Sequence, residues 1–423
     1  MMVWPTATSW LLAGPTRAER WGEHVARLGT CPPGGSDTIA LLYRSGLRGR
    51  GGARFPTWRK WEAVAARSSR RAVLVVNGAE GEPASGKDRS LLELRPHLVL
   101  DGALLAAGAV GASQVVFYVN RAFHDAMAAL AGALQERSRD LAGPLSVRVV
   151  DAPPRYIAGE ETAVVGLLDR GVAKPSVVPP RPFEKGVGGR PTLVQNVETL
   201  AMSALIARFG ATWFRCAGTG HSPGQLLLTI GGAVASPGVH EVPHGVALAD
   251  AVRHAGGDPG SAPAILLGGY FGRWVAGCWA DRVRLDDAEL SQQGLALGCG
   301  VVWVLAEHEC GVSETARILR FLAGESAGQC GPCIHGLPAM AGLAERLAVG
   351  RGTADDTATL ARWSGQLGAG RGACKHPDGA AGLLRSALDV FPAEFRRHAA
   401  GAPCHGVRYP SRLPVTPAPG GWA

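Results

Sequence analysis

Lysine is scarce in this sequence. Of its 43 basic residues only Lys60, Lys87, Lys174, Lys185 and Lys375 are lysines, and the rest are arginine. No long basic run occurs, so the formal charge of +8 is spread along the chain and lacks the clustered footprint of a nucleic-acid binder. Charged residues make up 18% against 46% hydrophobic, which excludes a disordered chain. There is also no uninterrupted apolar run of membrane-spanning length. The most apolar stretch, Leu98 to Val119, is broken by Asp101 and by Gly102, Gly108 and Gly111, and reads as a buried helix running into a strand. The N-terminal MMVWPTATSWLLAG has neither a basic region nor an adequate apolar core for a secretory signal. No internal repeat is visible. These absences predict a cytoplasmic protein with no direct membrane span.

What is present is glycine, in quantity and in places. The 59 glycines cluster in loops beside charged residues, where backbone has to approach a ligand closely. Nine cysteines in a cytoplasmic chain favour metal ligation over disulfides. A length of 423 residues calls for several domains. Residues 1–40 read as an N-terminal extension. Over 41–222 β-branched runs alternate with helical stretches, as in an α/β layer, with strands at Ala72–Val76 and Val115–Val119. Over 223–308 strand patterns surround a Gly-Gly and a Ser-Pro-Gly turn, with a short helix at Ala247–Ala255. Over 309–400 amphipathic stretches at Ser313–Ala323, Leu337–Ala348, Thr357–Leu367 and Gly379–His398 predict a bundle of four helices, and 401–423 reads as a loose tail.

Five motifs carry chemistry. In GLRGRGGARFPTWRKW the glycines, among them Gly49, Gly51 and Gly52, permit a nest of backbone N–H groups, and Arg48, Arg50 and Lys60 add positive charge for a phosphate. Phe55 and Trp58 offer an aromatic face. A solvated surface turn would have the same composition. NGAEGEPASGKDR follows the first strand at its carboxyl end, where ligands sit in parallel sheets, and carries Asn77, Glu80 and Glu82. Two acids there need partners, so a site explains them better than a core does. YIAGEETAVV brings Tyr156, Gly159, Glu160 and Glu161, and the acid pair would equally suit a helix N-terminus. GGRPTLVQNVETLA supplies Asn196 and Thr199 as amide and hydroxyl groups. Finally, ESAGQCGPCIHG sets Cys330 and Cys333 at C-x-x-C spacing, and Cys374 can return from a later helix as a third ligand. On spacing alone a redox dithiol and a zinc half-site stay open.

These motifs, in this order, resemble the family of the flavin- and NADH-binding subunit of NADH:quinone oxidoreductase, respiratory complex I, and of related diaphorase subunits, over roughly residues 41–398. The resemblance implies a Rossmann-like FMN-binding α/β domain, a small β-grasp (soluble-ligand-binding) domain and a C-terminal helical bundle with a 4Fe–4S cluster. It implies FMN contacts at Gly49, Gly51, Gly52, Lys60, Asn77, Glu80, Tyr156, Gly159, Glu160, Asn196 and Thr199. Phe55, Glu82 and Glu161 would face NAD(H), with Glu82 and Glu161 in the catalytic role. Cys330, Cys333 and Cys374 would hold the iron–sulfur cluster. The activity implied is an FMN-dependent NAD(P)H dehydrogenase passing electrons to other redox subunits or a ferredoxin-like acceptor, at the periphery of a membrane complex where one is its partner.

Several positions depart from the family pattern. Ala327 stands where the family has its first cluster cysteine, and alanine cannot ligate iron. Cys310, Cys404, His335 or an external thiolate are the candidate replacements, and a three-iron cluster or no cluster are the other outcomes. Ile334 and His335 replace an arginine and a glutamate, Ala79 an aspartate, Arg54 a glycine and Gln195 an asparagine. Val178 and Arg181 replace a lysine and a phenylalanine that help hold NADH, and Arg181 would favour a more anionic nucleotide such as NADPH. The same changes support the alternatives of a non-nicotinamide donor or a catalytically lapsed structural subunit.

Overall fold

The computed structural model describes residues 9–69, 71–139, 141, 143–404, 406, 410–415 and 422. Nine strands are present among them: β1 (Ala72–Gly78), β2 (Ala112–Asn120), β3 (Ser146–Ala152), β4 (Thr192–Asn196), β5 (Gln225–Gly232), β6 (Gly238–Pro243), β7 (Ala264–Leu267), β8 (Arg273–Ala276) and β9 (Val301–Val304). The first four form an all-parallel sheet in the order β3-β2-β1-β4. Successive residues of its central strands alternate between two cores. Leu74, Val76, Val115 and Phe117 face the larger one, which includes the Pro96–Val110 and Val197–Phe214 helices, while Val73, Val75, Val116 and Tyr118 face a smaller one with the Glu161–Arg170 helix. Both faces are covered there, so the buried parts of these central strands are continuous apolar runs.

The remaining strands form a mixed sheet, β6-β5-β9-β7-β8, with the Leu248–His254 helix against one face, the β-grasp arrangement. Here too the pleat divides the side chains. Ile265, Leu267, Val302 and Val304 pack with that helix, whereas Ala264, Leu266 and Val301 pack against the C-terminal helices. The helical region thus rests on the sheet.

Four expectations need correcting. The stretch expected as one helix over Gly379–His398 is two, His376–Val390 and Pro392–Ala399. Phe391, at φ −112° and ψ 39°, leaves the helical region because it precedes a proline. The helix expected at Thr357 begins at Ala354, where Thr353 caps it with Asp356 in a reciprocal pair. The described part of the N-terminal extension is built into the first core: Leu11 is fully buried, and the Arg95 guanidinium binds the carbonyls of Leu12, Ala13 and Pro15 at 2.7–2.8 Å. Some of the described tail residues are likewise docked. Leu413 is buried in the helical core, Tyr270 donates to the Pro414 carbonyl, and Trp422 lies under Arg155 and Lys174.

Candidate functional site

The parallel pairing of β1 with β4 sets Asn77 directly beside Asn196, both at strand carboxyl ends. Each amide is used to hold a neighbouring segment of chain. Asn77 donates to the Gly159 carbonyl at 2.8 Å, and a Cβ on Gly159 would sit 3.4–3.6 Å from Ala79 and the Asn77 amide. Asn196 caps the Val197–Phe214 helix by accepting from Thr199 N, and donates to Asp88 at 2.6 Å. The Thr199 hydroxyl accepts from Arg50 N at 2.9 Å, which pins the glycine loop over the end of β4. Gly51 lies against Asn196, with its built Cβ 3.4 Å from the asparagine Cβ.

The loop closes on itself through Gly49 N to Phe55 O at 2.9 Å, and Gly52 sits at φ +105°, a conformation glycine adopts freely. Among the described residues none accepts a hydrogen bond from the amides of Gly51, Gly52 or Ala53. That leaves an open row of N–H donors. The arginines expected to join them point elsewhere. Arg50 is buried, binding His244 and the Gln225 carbonyl with Glu198 3.8 Å away, and Arg48 and Arg54 pair with Asp287. Their charge ties the loop to the second-sheet region because Asp287, the buried His244 imidazole and the Gln225 carbonyl lie there. Lys60 remains on the loop side, paired with Glu161. Phe55 is half exposed, with no ring partner among the described residues.

The acids divide into two kinds. Glu80, at φ +35°, accepts from Ser85 Oγ, Asp88 N and Arg89 N at 2.6, 3.0 and 2.8 Å, so it caps the Lys87–Leu94 helix. Glu160 caps the Glu161–Arg170 helix through Thr162 N and Ala163 N at 2.9 and 3.1 Å. Glu82 is different. It is buried, and its Oε2 accepts from the Tyr156 hydroxyl at 2.9 Å and Tyr270 N at 2.8 Å. Burial pushes its carboxyl up to about 7, against the opposing pull of those hydrogen bonds.

The neighbours of these residues were not legible as site residues. Lys87 lies 2.7 Å from Asp88 and 3.0 Å from Glu198, all three buried beneath Asn196. Burial alone would lower the Lys87 ammonium, but the carboxylates around it outweigh that and keep it charged. Glu198 also accepts from Leu227 N at 3.1 Å, linking the site to β5. The available signal was three charges on otherwise apolar faces within the second and fourth motifs. Tyr270 reaches Glu82 from a glycine turn with Cys299 packed beside it, and a Cβ on Gly269 would stand 2.5 Å from Glu82 Oε2 and 2.8 Å from the Cys299 sulfur. Nothing in their composition announced them.

Tyr156 connects this crevice to the helical region. Its hydroxyl is on Glu82, its amide donates to Glu325 at 2.9 Å, and its ring lies edge-on to Phe271 and His376, at 4.7 and 5.9 Å. Glu325 directly precedes the Ser326-Ala327 step, and His376 follows Cys374 by two residues. Cys330 and Cys333 sit where a π-helical turn, Pro332–Gly336, opens the Leu337–Ala348 helix, with Cys333 N donating to Cys330 O at 3.0 Å. Burial raises the Cys333 thiol to about 12, with the Ser326 hydroxyl bonded to it and the Cys330 and Cys374 thiols acting on it. Cys374 also feels Glu160, which acts on it from the crevice side. Ala327 is buried and offers no donor; Ile334 is exposed. Cys310 and Cys404 do not take the place of its missing thiolate, because they gather around His398 instead. All nine cysteines are free thiols.

The segment carrying Val178 and Arg181 lies along the Glu161–Arg170 helix and forms with it an open pocket of about 250 Å³ lined by Thr162, Asp169, Arg170, Ser176 and Lys185 among others. Arg181 is exposed outside it. No helix among the described residues is long and apolar enough to cross a membrane.

The chain matches the Nuo51 FMN-binding domain over residues 42–203 and the NADH-ubiquinone oxidoreductase-F iron-sulfur binding region over 313–398. It is 34% identical to the second NADH-quinone oxidoreductase F subunit of Rhizobium meliloti (strain 1021), covering 86% of this chain and 88% of the relative. With the NADH-quinone oxidoreductase F subunit of Mycobacterium tuberculosis (strain ATCC 25618 / H37Rv) the identity is 33%, over 95% of this chain and 93% of that one. Among solved structures it superposes on a chain of the NAD+-reducing [NiFe]-hydrogenase in the air-oxidized state with a TM-score of 0.78 and 31% identity, covering 86% of this chain. It spans 62% of that hydrogenase chain, less than two thirds.

Proposed function

Since the chain belongs to the family of the NADH-quinone oxidoreductase F subunit, an FMN-binding, NADH-oxidising group with an iron–sulfur region, we propose that it oxidises NADH at an FMN seated over the ends of β1 and β4. The single observation that carries this reading is Tyr156, which touches Glu82 in the crevice while its amide and ring are held by the loop and helix that bear the three cysteines.

The donor set suits FMN. The unpaired amides of Gly51, Gly52 and Ala53 form an anion nest for the phosphate, with Lys60 beside it, and the small Gly51 and Gly159 leave the asparagine edges of the crevice open. Bound there, FMN supplies the exchange between a hydride and single electrons. The chain's own residues do the positioning. Thr199 and Asn196 fix the loop, the buried Lys87 adds positive charge beneath the ring site, and Glu82 presents a carboxyl able to hold or release a proton near neutrality. Glu160 and Glu80 act one step back, by setting the helices whose first turns wall the crevice.

Cys330, Cys333 and Cys374 would hold three irons of a cluster, a one-electron acceptor, and Ala327 leaves the fourth without a protein thiolate. The acceptor beyond it is a partner redox subunit or a ferredoxin-like protein, and any attachment to a membrane is through that partner. The anaerobically purified chain should be yellow and should bleach on adding NADH. A chain that stays colourless with added FMN refutes the reading. Arg181, exposed and without an ion pair among the described residues, would add affinity for the extra phosphate of NADPH. A clear NADH preference in steady-state reduction removes that refinement. A second reading, a donor other than a nicotinamide nucleotide, is favoured by Val178 and by Lys174, whose ammonium is drawn 5.6 Å from the Trp422 ring. Bleaching by NADH rules it out.

A further inference from the structure

We propose that Cys310, His398, Cys404 and Glu394 form a zinc site that fastens the end of the chain to the helical bundle, apart from the iron–sulfur cysteines. The ligand atoms of the first three all lie within 4.8 Å of one another. His398 Nε2 is 3.3 Å from Cys310 Sγ and 3.1 Å from Cys404 Sγ, and Glu394 Oε2 is 3.5 and 3.8 Å from the two sulfurs. A tetrahedral ion with bonds of about 2.3 Å to sulfur and about 2.0 Å to nitrogen separates such ligands by roughly 3.5 Å. The spacing of the two sulfurs about the imidazole therefore matches a shared metal, with Glu394 near both sulfurs and its Oε2 held by Gly311 N at 2.9 Å until an ion draws it in.

The surroundings are those of a built site. Cys310 is buried at the N-terminus of the Gly311–Gly324 helix, with Ser313 N donating to its sulfur at 3.5 Å. His398 is fully buried, and its Nδ1 lies 3.0 Å from the Leu347 carbonyl, so Nε2 is the nitrogen turned to the sulfurs; it accepts from Cys404 N at 3.1 Å, a bond an ion would replace. Glu394 is one helical turn before His398, on the same face of the Pro392–Ala399 helix. Arg397 donates to Cys404 Sγ at 2.6 Å, so two thiolates, a carboxylate, a divalent cation and a guanidinium balance to neutrality. Two sulfurs, one imidazole and one carboxylate select zinc over magnesium or calcium.

This group is not a displaced part of the cluster. Cys310 opens the Gly311–Gly324 helix and the Cys330 loop follows its far end, so about 20 Å of helix separates them. The consequence is structural. The ion would join the first helix of the bundle, its last helix and the tail at Cys404, which explains why the tail is docked.

The full-length chain, purified without chelator from zinc-supplemented cells, should contain one zinc per chain by elemental analysis. Cys310→Ser and His398→Ala should lower zinc below a tenth of that and leave FMN in place. Cys333→Ser should lower iron and keep the zinc. Because the first two variants risk misfolding, Glu394→Gln provides the milder case, with zinc lost to a competing chelator at least tenfold faster. Cobalt put in place of zinc should show a thiolate charge-transfer band that Cys404→Ser weakens. A folded wild-type chain without zinc, zinc that follows Cys333 rather than Cys310, or a Cys310–Cys404 disulfide in the freshly isolated protein would each overturn the proposal.

Discussion

Glu82 is the residue at which burial and chemistry meet. Its carboxyl is pushed up to about 7 from an ordinary 4.5, so the folded chain holds a proton there that the unfolded chain has released. The sign follows. This group's contribution to stability is complete below pH 4.5, declines as pH rises through the interval, and is gone above about 7. The interval corresponds to about 3 kcal/mol at most. Glu82→Gln, which cannot ionise, should flatten that part of the stability profile, measured by urea unfolding at pH 5 and pH 8. It should also remove a limb near pH 7 from the rate of NADH oxidation; an unchanged limb would assign the titration to another group. Lys87 makes the opposite case. Lys87→Met leaves Asp88 and Glu198 buried with their cation removed, and should cost about 3–5 kcal/mol in urea unfolding. The sequence showed that the acids after β1 must have partners, because unpaired carboxylates are costly there. It did not show which acid would cap a helix and which would face the crevice, since Glu80 and Glu82 differ by a single glycine and by a positive φ at Glu80 that no composition encodes.

At the scale of elements the crevice depends on how the glycine loop is tied down. One hydrogen bond, Arg50 N to Thr199 Oγ1, fixes the loop to the first turn of the helix after β4. Thr199→Val keeps the shape and removes the acceptor. The expected result is a loss of about 1 kcal/mol in FMN affinity, roughly fivefold in Kd, read from quenching of flavin fluorescence on binding, with little change in Tm. Wild-type affinity in this variant would mean that the loop is held by its arginines alone. β1 and β2 were legible as continuous apolar runs because both faces of a parallel sheet are buried. β3 was not, since it is the sheet edge and half of its residues meet solvent, and β4 was hidden by its five-residue length. The direction taken by the loop's arginines was hidden for a related reason. Their charge was visible, but the acids and the imidazole that claim it, Asp287, Glu198 and His244, come from distant parts of the chain.

For the whole molecule, the question is how two cofactor regions in different layers are coupled and yet separable. The crevice lies on the parallel sheet, and the three cysteines lie in the helical region that rests on the second sheet. Tyr156 and the Arg155–Glu325 ion pair at 2.9 Å bridge them. Order along the chain revealed both regions, whereas the bridge needed the folded chain. With separate cores, Cys333→Ser should remove most of the iron and leave FMN bound; simultaneous loss of FMN would show the two to be one folding unit. The missing ligand gives the stronger test. Ala327 is buried one residue from Ser326, whose hydroxyl already reaches the Cys333 thiol. A thiol introduced there completes a four-cysteine set in place. Ala327→Cys should therefore raise iron and acid-labile sulfide toward ~4 of each per chain and make the cluster slower to lose iron in air. If iron content and air sensitivity do not change, the fourth corner is already satisfied from outside this chain, and Ala327 marks the side from which that partner approaches.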